Sequence, residues 1–212
     1  MKQIVNGLYA ITPEWTDTKK LLTAARSALE GHTRFIQYRN KSEDVALQYE
    51  QASELLLLCH EFDVPLIIND NLRLADLVNA DGLHLGDKDG SFKEARFILG
   101  PDKIIGVSCY ANLTLAISAE SQGADYVAFG SFFASTTKPQ APPAPIHLLH
   151  QAKQQLHIPV VAIGGITPDN ALTLIQAGAD AVAVISSLFE CSHIVATANK
   201  FNDLFNRPQY IQ

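Results

Sequence analysis

Cysteine is scarce and unpatterned in this chain. Cys59, Cys109 and Cys191 are odd in number, lie far apart and include no Cys-x-x-Cys pair. Neither a disulfide framework nor a zinc ribbon is indicated, and a reducing cytoplasm fits best. Long apolar runs are also missing: no segment approaches the length that spans a bilayer, and Met1 to Gly7 lack the apolar core of a secretion signal. Positive charge is in the minority. With 16 Lys and Arg against 22 Asp and Glu, the formal charge is −6, which offers no general attraction to nucleic acid or anionic membranes. Any cationic site must therefore be local.

Local catalytic signatures are absent as well. The chain contains no Gly-x-Ser-x-Gly elbow, no His-Glu-x-x-His pair and no Gly-x-x-x-x-Gly-Lys-Ser/Thr loop, so hydrolase, zincin and P-loop readings lack their signals. No linker or low-complexity segment divides the sequence. Its 212 residues, 47% of them hydrophobic, are expected to form one domain over residues 1–212 around a substantial core.

What is present is alternation. Short β-branched or apolar runs at 8–11, 34–38, 65–69, 82–85, 103–107, 126–130, 159–163 and 181–185 read as strands. Helical patterns lie between them, including 45–62, 113–122, 146–156 and 170–177, with apolar residues three and four apart. Gly123-Ala124-Asp125 and Gly178-Ala179-Asp180 repeat the same punctuation, Gly ending a helix in the left-handed region and Asp opening the next segment. Eight βα units in so short a chain favour a compact (β/α)₈ TIM barrel, an α/β fold, over an open doubly wound sheet. The Pro-rich piece Lys138 to Pro145 is expected to be a long surface loop after the sixth strand.

The run Gln37-Tyr38-Arg39-Asn40-Lys41 closes the second strand with polar side chains two residues apart. If the extended conformation continues, Gln37, Arg39 and Lys41 share a face. Such a set is either a strand fraying into solvated loop or a pocket for an oxyanion, which Arg meets with a planar fork and Lys with a mobile charge. Other polar residues fall at the same ends of their strands: Asn69 and Asp70, Asp87 and Asp89, Ser108, and Thr136-Thr137-Lys138. This is the rim where barrel enzymes keep their chemistry.

Asp70 and Asp89 suit a hard divalent cation such as Mg²⁺. Each also has a purely structural reading: Asp70 as the cap of a following helix, and Asp89 as the neighbour of Ser91-Phe92-Lys93-Glu94, which spells a capping box. Gly164-Gly165 and Ser186-Ser187 follow the seventh and eighth strands, where barrels often hold a phosphate, although a glycine pair also makes a tight turn. His84 alternates with Leu83 and Leu85 and should face the interior, as a satisfied core histidine or as a functional one. These residues point to a barrel enzyme acting on phosphorylated small molecules.

With those segments in order, the chain resembles the thiamine-phosphate synthase family over most of its length. The matching pieces are Gln37-Tyr38-Arg39-Asn40-Lys41, Asn69-Asp70, Asp81 to Gly86, Gly106-Val107-Ser108, Thr137-Lys138, Ile163-Gly164-Gly165-Ile166 and Val184-Ile185-Ser186. The resemblance implies a transferase. It would condense 4-amino-2-methyl-5-hydroxymethylpyrimidine diphosphate with a thiazole phosphate, giving thiamine phosphate and diphosphate by a dissociative, Mg²⁺-assisted route. It implies Asp70 and Asp89 as metal ligands, with Arg39, Lys41, Asn69, Ser108 and Lys138 on the diphosphate and Gln37 on the pyrimidine. Ser135, Thr137, Gly165, Ile185 and Ser186 would hold the thiazole phosphate.

This chain departs from the family pattern in three places. It has Gly86-Asp87-Lys88-Asp89 where Gly-Gln-x-Asp is usual, Ser131 and Ser135 in the segment after the sixth strand where Pro and Thr are usual, and Cys109-Tyr110 in place of a small residue and His. Two rivals share the resemblance: a thiazole tautomerase-like isomerase, and a non-catalytic barrel that binds a thiazole or thiamine phosphate. The retained cations and carboxylates favour the synthase, because only that reaction releases diphosphate.

Overall fold

The computed structural model describes residues 5–86, 90–134 and 143–206. Eight parallel strands close into a barrel in sequential order. They are β1 (Gly7–Ile11), β2 (Phe35–Tyr38), β3 (Leu66–Asn69), β4 (Gly82–Leu85), β5 (Ile104–Tyr110), β6 (Tyr126–Gly130), β7 (Val160–Ile163) and β8 (Ala181–Val184). Around them run α1 (Thr18–Glu30), α2 (Val45–Glu61), α3 (Leu72–Leu77), α4 (Phe92–Leu99), α5 (Leu113–Ser121), α6 (His147–Gln155), α7 (Ala171–Gln176), α8 (Ser186–Phe189) and α9 (Ile194–Phe205). The expected TIM barrel is the observed fold.

The period-two alternation of a strand sorts each residue to the barrel interior or to the helices. Tyr9, Phe35, Ile67, Ile104, Tyr126, Val161 and Ala181 form an interior cluster, while Leu8, Ile36, Leu66, Leu83, Ile105 and Val127 belong to the larger core between strands and helices. The helices dock through small residues at helical spacing. In α1, Leu21, Ala24, Ala25, Ala28 and Leu29 are buried, one apolar stripe. Asp17 opens that helix by accepting from the Lys20 N–H at 2.9 Å, satisfying one of the amides that a helix start leaves over. Asn202 of α9 donates to the carbonyls of Gly31 and His32 at 2.7 and 3.1 Å, tying the last helix to the end of the first.

At the opposite end from the predicted rim, one device recurs. Asp81, Asp125 and Asp180, each just before an even-numbered strand, accept at 2.8 Å from the backbone N–H of Leu66, Ile105 and Val160 in the strand before it. Each carboxylate also meets a cation or histidine: His60, Arg96 and Lys153 respectively. The preceding turns use left-handed residues, Asn79 at φ 53°, Gly123 at 94° and Gly178 at 110°. The repeated Gly-Ala-Asp motif therefore has a second task besides opening a strand.

Three local expectations need correction. β5 runs on to Tyr110, so Ser108 lies within the strand and does not follow it; a register shift against β6 between Ser108 and Tyr110 accommodates the extra residues. The cap of α3 is Asn71, whose side chain accepts from the Leu74 N–H at 2.9 Å, and not Asp70. Ser91 does occupy the N-cap of α4, but its side chain makes no cap bond, so the capping box is not closed. Arg39 and Lys41 stand beyond the end of β2, where the strand pattern puts them.

Candidate active site

The carboxyl ends of the strands open into a cavity of about 580 Å³ whose lining includes Gln37, Arg39, Asn69, His84, Ser108, Tyr126, Gly165, Ile185 and Ser186. Room for it comes from the sequence. β5 contributes Gly106 and Ser108 inward, and β6 contributes Ala128 above Tyr126, so on this side small or polar groups stand above the Tyr126 ring.

Five of the lining side chains are joined in series. The Gln37 amide Nε2 donates to the Tyr9 hydroxyl at 3.0 Å, and the Tyr9 and Tyr126 hydroxyls lie 2.8 Å apart. The Tyr126 hydroxyl is 2.8 Å from His84 Nδ1, and His84 Nε2 is 2.8 Å from Ser108 Oγ. Burial pushes both phenols well above their ordinary pKa; for Tyr9 the hydrogen bonds it shares with Tyr126 and Gln37 oppose this, and for Tyr126 the nearby Tyr9 adds to it. Both tyrosines therefore keep their protons. His84 is at once a satisfied core histidine and part of the cavity wall. Cys109, one residue on from Ser108, is a buried thiol that desolvation pushes up to about 12, so it is not a nucleophile at neutral pH.

The end of β2 is held by Thr12. Its hydroxyl accepts from the Arg39 N–H at 3.0 Å, and its own N–H donates to the Gln37 carbonyl at 2.9 Å. The Arg39 guanidinium pairs with Glu14. Beyond Arg39, helix α2 captures the chain: Gln51 Oε1 accepts from Tyr38 and Asn40 at 3.0 and 3.3 Å, and Gln48 donates to the carbonyls of Asn40 and Ser42 at 3.2 and 2.7 Å. This turn ends the strand alternation. Lys41 consequently opens on a neighbouring hollow of about 820 Å³ with Asp70, Asn71, Arg73 and Glu94, and does not share the face of Gln37 and Arg39. Asn69 lines both spaces, so the two are adjacent.

Asp70 adopts φ 62° and its N–H donates to the His84 carbonyl at 2.9 Å, which places it at the junction of β3 and β4. Its carboxylate and the Asn69 amide give that hollow hard oxygen donors of the kind Mg²⁺ accepts alongside water. No cluster of three or more His, Cys, Asp or Glu with metal-binding spacing occurs among the described residues. Asp89, Ser135, Thr137 and Lys138, together with Asp87 and Thr136, lie outside the described residues.

On the other side of the cavity, Gly164 and Gly165 have φ 106° and 62°. A Cβ at Gly164 would meet Ser131 Oγ at 1.9 Å, and one at Gly165 the Ala134 carbonyl at 2.3 Å. The pair therefore packs directly under the loop after β6 and is more than a tight turn. That loop is pinned without proline: Ser131 Oγ donates to the Phe133 carbonyl at 2.8 Å, and Phe132 and Phe133 donate to Ile163 and Gly164. Ser187 presents a buried hydroxyl with no hydrogen-bond partner among the described residues at this wall, a polar group suited to a ligand oxygen.

The structure thus brings Gln37, Arg39, Asn69, Ser108, Gly165, Ile185 and Ser186 to one cavity, and Lys41 and Asp70 to its flank. Sequence reading passed over Tyr9, Tyr126, Thr12 and Glu14. The signal for the tyrosines was available: Tyr9 sits between Leu8 and Ala10 in the same alternation that turns His84 inward.

The chain is similar to proteins that carry names. A family model described as Thiamine monophosphate synthase matches residues 8–188. The Thiamine-phosphate synthase of Thiobacillus denitrificans is 54% identical over 205 residues, covering 97% of each chain. That of Methylobacillus flagellatus is 54% identical over 202 residues, covering 95% of this chain and 96% of its own. Among solved structures, Thiamine phosphate pyrophosphorylase from Pyrococcus furiosus superposes with a TM-score of 0.84 at 34% identity, covering 94% of this chain and 95% of that one. With the match running through nearly every strand of the barrel, the chain belongs to the thiamine monophosphate synthase family.

Proposed function

We infer that the chain is a transferase that condenses 4-amino-2-methyl-5-hydroxymethylpyrimidine diphosphate with 4-methyl-5-(2-phosphooxyethyl)thiazole to give thiamine phosphate and diphosphate. The observation that carries this reading is the cavity where Arg39, Asn69 and Ser108 face Gly165 and Ser186 across one barrel mouth, in a chain so similar to named synthases. A net charge of −6 makes that concentration of cationic and polar groups specific to the site.

In this reading the diphosphate departs before the new bond forms, leaving a methylene cation stabilised by the aminopyrimidine, which the thiazole nitrogen then captures. No protein nucleophile is needed. Arg39, Lys41 and Lys138 neutralise the charge growing on the leaving group, while Asn69 and Ser108 donate hydrogen bonds to it. Gln37 orients the pyrimidine. Ser135, Thr137, Gly165, Ile185 and Ser186 hold the thiazole phosphate so that its ring nitrogen faces the reacting carbon. Asp70 and Asp89 would hold Mg²⁺, which when bound supplies further positive charge beside the diphosphate.

Described helices include none long and apolar enough to cross a membrane, and Cys59 and Cys109 are buried free thiols; both suit a cytoplasmic enzyme acting on small molecules. The test is to mix purified protein with both substrates, with and without Mg²⁺, and follow both products. Equal amounts of thiamine phosphate and diphosphate, formed only with the metal, are expected. Tight binding of both substrates without either product would defeat the reading.

A further inference from the structure

We propose that Gln37, Tyr9, Tyr126, His84 and Ser108 form a one-way hydrogen-bond chain that locks His84 in its Nε2–H tautomer and turns the Ser108 hydroxyl proton towards the ligand. Tyr9 and Tyr126 are then positioning residues for a hydrogen-bond acceptor. The choice of a diphosphate oxygen as that acceptor rests on the function proposed above; the direction of the chain does not.

Direction follows from proton counting. An amide nitrogen only donates, so the Tyr9 oxygen accepts from Gln37 Nε2 at 3.0 Å, and its own buried proton still needs an acceptor. Tyr9 has one proton, which goes to the Tyr126 oxygen at 2.8 Å. Tyr126 must then spend its own proton on His84 Nδ1 at 2.8 Å. With Nδ1 accepting, the neutral ring carries its proton on Nε2 and donates to Ser108 Oγ at 2.8 Å. Ser108 is left with its O–H unused by the chain, in a side chain that lines the cavity. Had the amide presented its oxygen, all four bonds would reverse and Ser108 would donate to the ring.

The described surroundings support this order. Gln37, Tyr9, Tyr126 and His84 are all buried, which removes competing water and makes an unmade bond costly. The rings are packed as well as bonded: His84 stacks on Tyr126 at 5.5 Å and 21°, and Tyr9 meets Tyr126 edge-on at 5.9 Å. Desolvation keeps both phenols protonated, so each remains a donor at neutral pH. The consequence is selectivity by polarity. A ligand group beside Ser108 is offered a hydrogen-bond donor, which a phosphate oxygen can take and an ammonium or amide N–H cannot.

The test uses the full-length protein without ligand. Nitrogen-15 NMR of the His84 ring, assigned by the signals lost in His84→Gln, should show a protonated Nε2 and an unprotonated Nδ1 in the wild type. In Tyr126→Phe the proton should move to Nδ1, in whole or in part. Affinity for inorganic diphosphate, measured by calorimetry, should then fall about 10-fold, the scale of one hydrogen bond to a charged group. A protonated Nδ1 in the wild type overturns the proposal without any variant having to fold. So does a Tyr126→Phe protein that melts cooperatively and keeps both the Nε2–H signal and wild-type affinity. If the wild type shows Nε2–H but never forms thiamine phosphate, the chain stands and the function reading falls.

Discussion

The Tyr126 ring fills the space that a side chain at Gly106 would occupy: a Cβ there would lie 2.0 Å from Tyr126 Cζ. The two residues are register partners on β5 and β6, so the absence of a side chain on one strand lets the neighbouring aromatic cross the barrel floor and reach Tyr9 and His84.

Gly106→Ala should therefore destabilise the protein by about 1–3 kcal/mol, the usual cost of overpacking, and should disturb the hydrogen-bond chain more than the fold. Urea unfolding measures the first effect and diphosphate calorimetry the second. A variant with unchanged stability and affinity would mean that Tyr126 can sit elsewhere.

What the sequence made legible is what depends on local periodicity. Alternation alone turns Gln37 and His84 inward, because side chains two apart share a face whatever the strand pairs with. The Gly-Ala-Asp repeats were visible for the same reason. The hydrogen-bond chain was not, since its links join residues 28 and 117 positions apart and exist only once the barrel has closed. Lys41 illustrates the complementary failure. Its departure from the Gln37 face is set by Gln48 and Gln51 of α2, partners that no strand pattern names.

Asp125 offers a test of the repeated strand clamp. Its carboxylate accepts from the Ile105 N–H at 2.8 Å and from Arg96 at 2.6 Å, and the two side chains are 19% and 22% exposed. Asp125→Ala leaves both donors without it and should cost about 2–4 kcal/mol. Asp180→Ala should cost less, because Lys153 is 41% exposed and can be solvated instead. Chemical denaturation of the two variants checks the order, which reversed values would refute.

Alkaline pH should weaken the fold through its buried phenols. Tyr9 and Tyr126 are raised far above their ordinary value of 10.0, and burial pushes Tyr38 up to about 12. Below pH 10 folded and unfolded tyrosines alike hold their protons, so the contribution to stability is complete. Above it the unfolded phenols ionise while the folded ones do not, and stability falls as pH rises towards the folded values, by up to about 1.4 kcal/mol per pH unit for each group. Unfolding free energies from pH 8.5 to 11 should show this slope, and the Tyr9→Phe, Tyr126→Phe double variant should reduce it to the share left by Tyr38 and the buried thiols of Cys59 and Cys109.

Glu14 pairs with Arg39 and should compete with an anion bound there. The guanidinium is 18% exposed and paired with a carboxylate that is 42% exposed, so the pair is worth at most about 1 kcal/mol, while the negative charge stands next to the place where an anion would bind. Glu14→Gln keeps a hydrogen-bond acceptor for Arg39 and removes that charge, which should tighten inorganic diphosphate binding by about 2–5-fold, the few tenths to 1 kcal/mol of such a pair. Arg39→Gln should weaken it by about 10-fold or more, since a charge-assisted fork is lost. Calorimetry at low and high salt checks both, because the gain in Glu14→Gln should shrink as salt screens it. Weaker binding in Glu14→Gln would show instead that the carboxylate serves to hold the guanidinium in place for the anion.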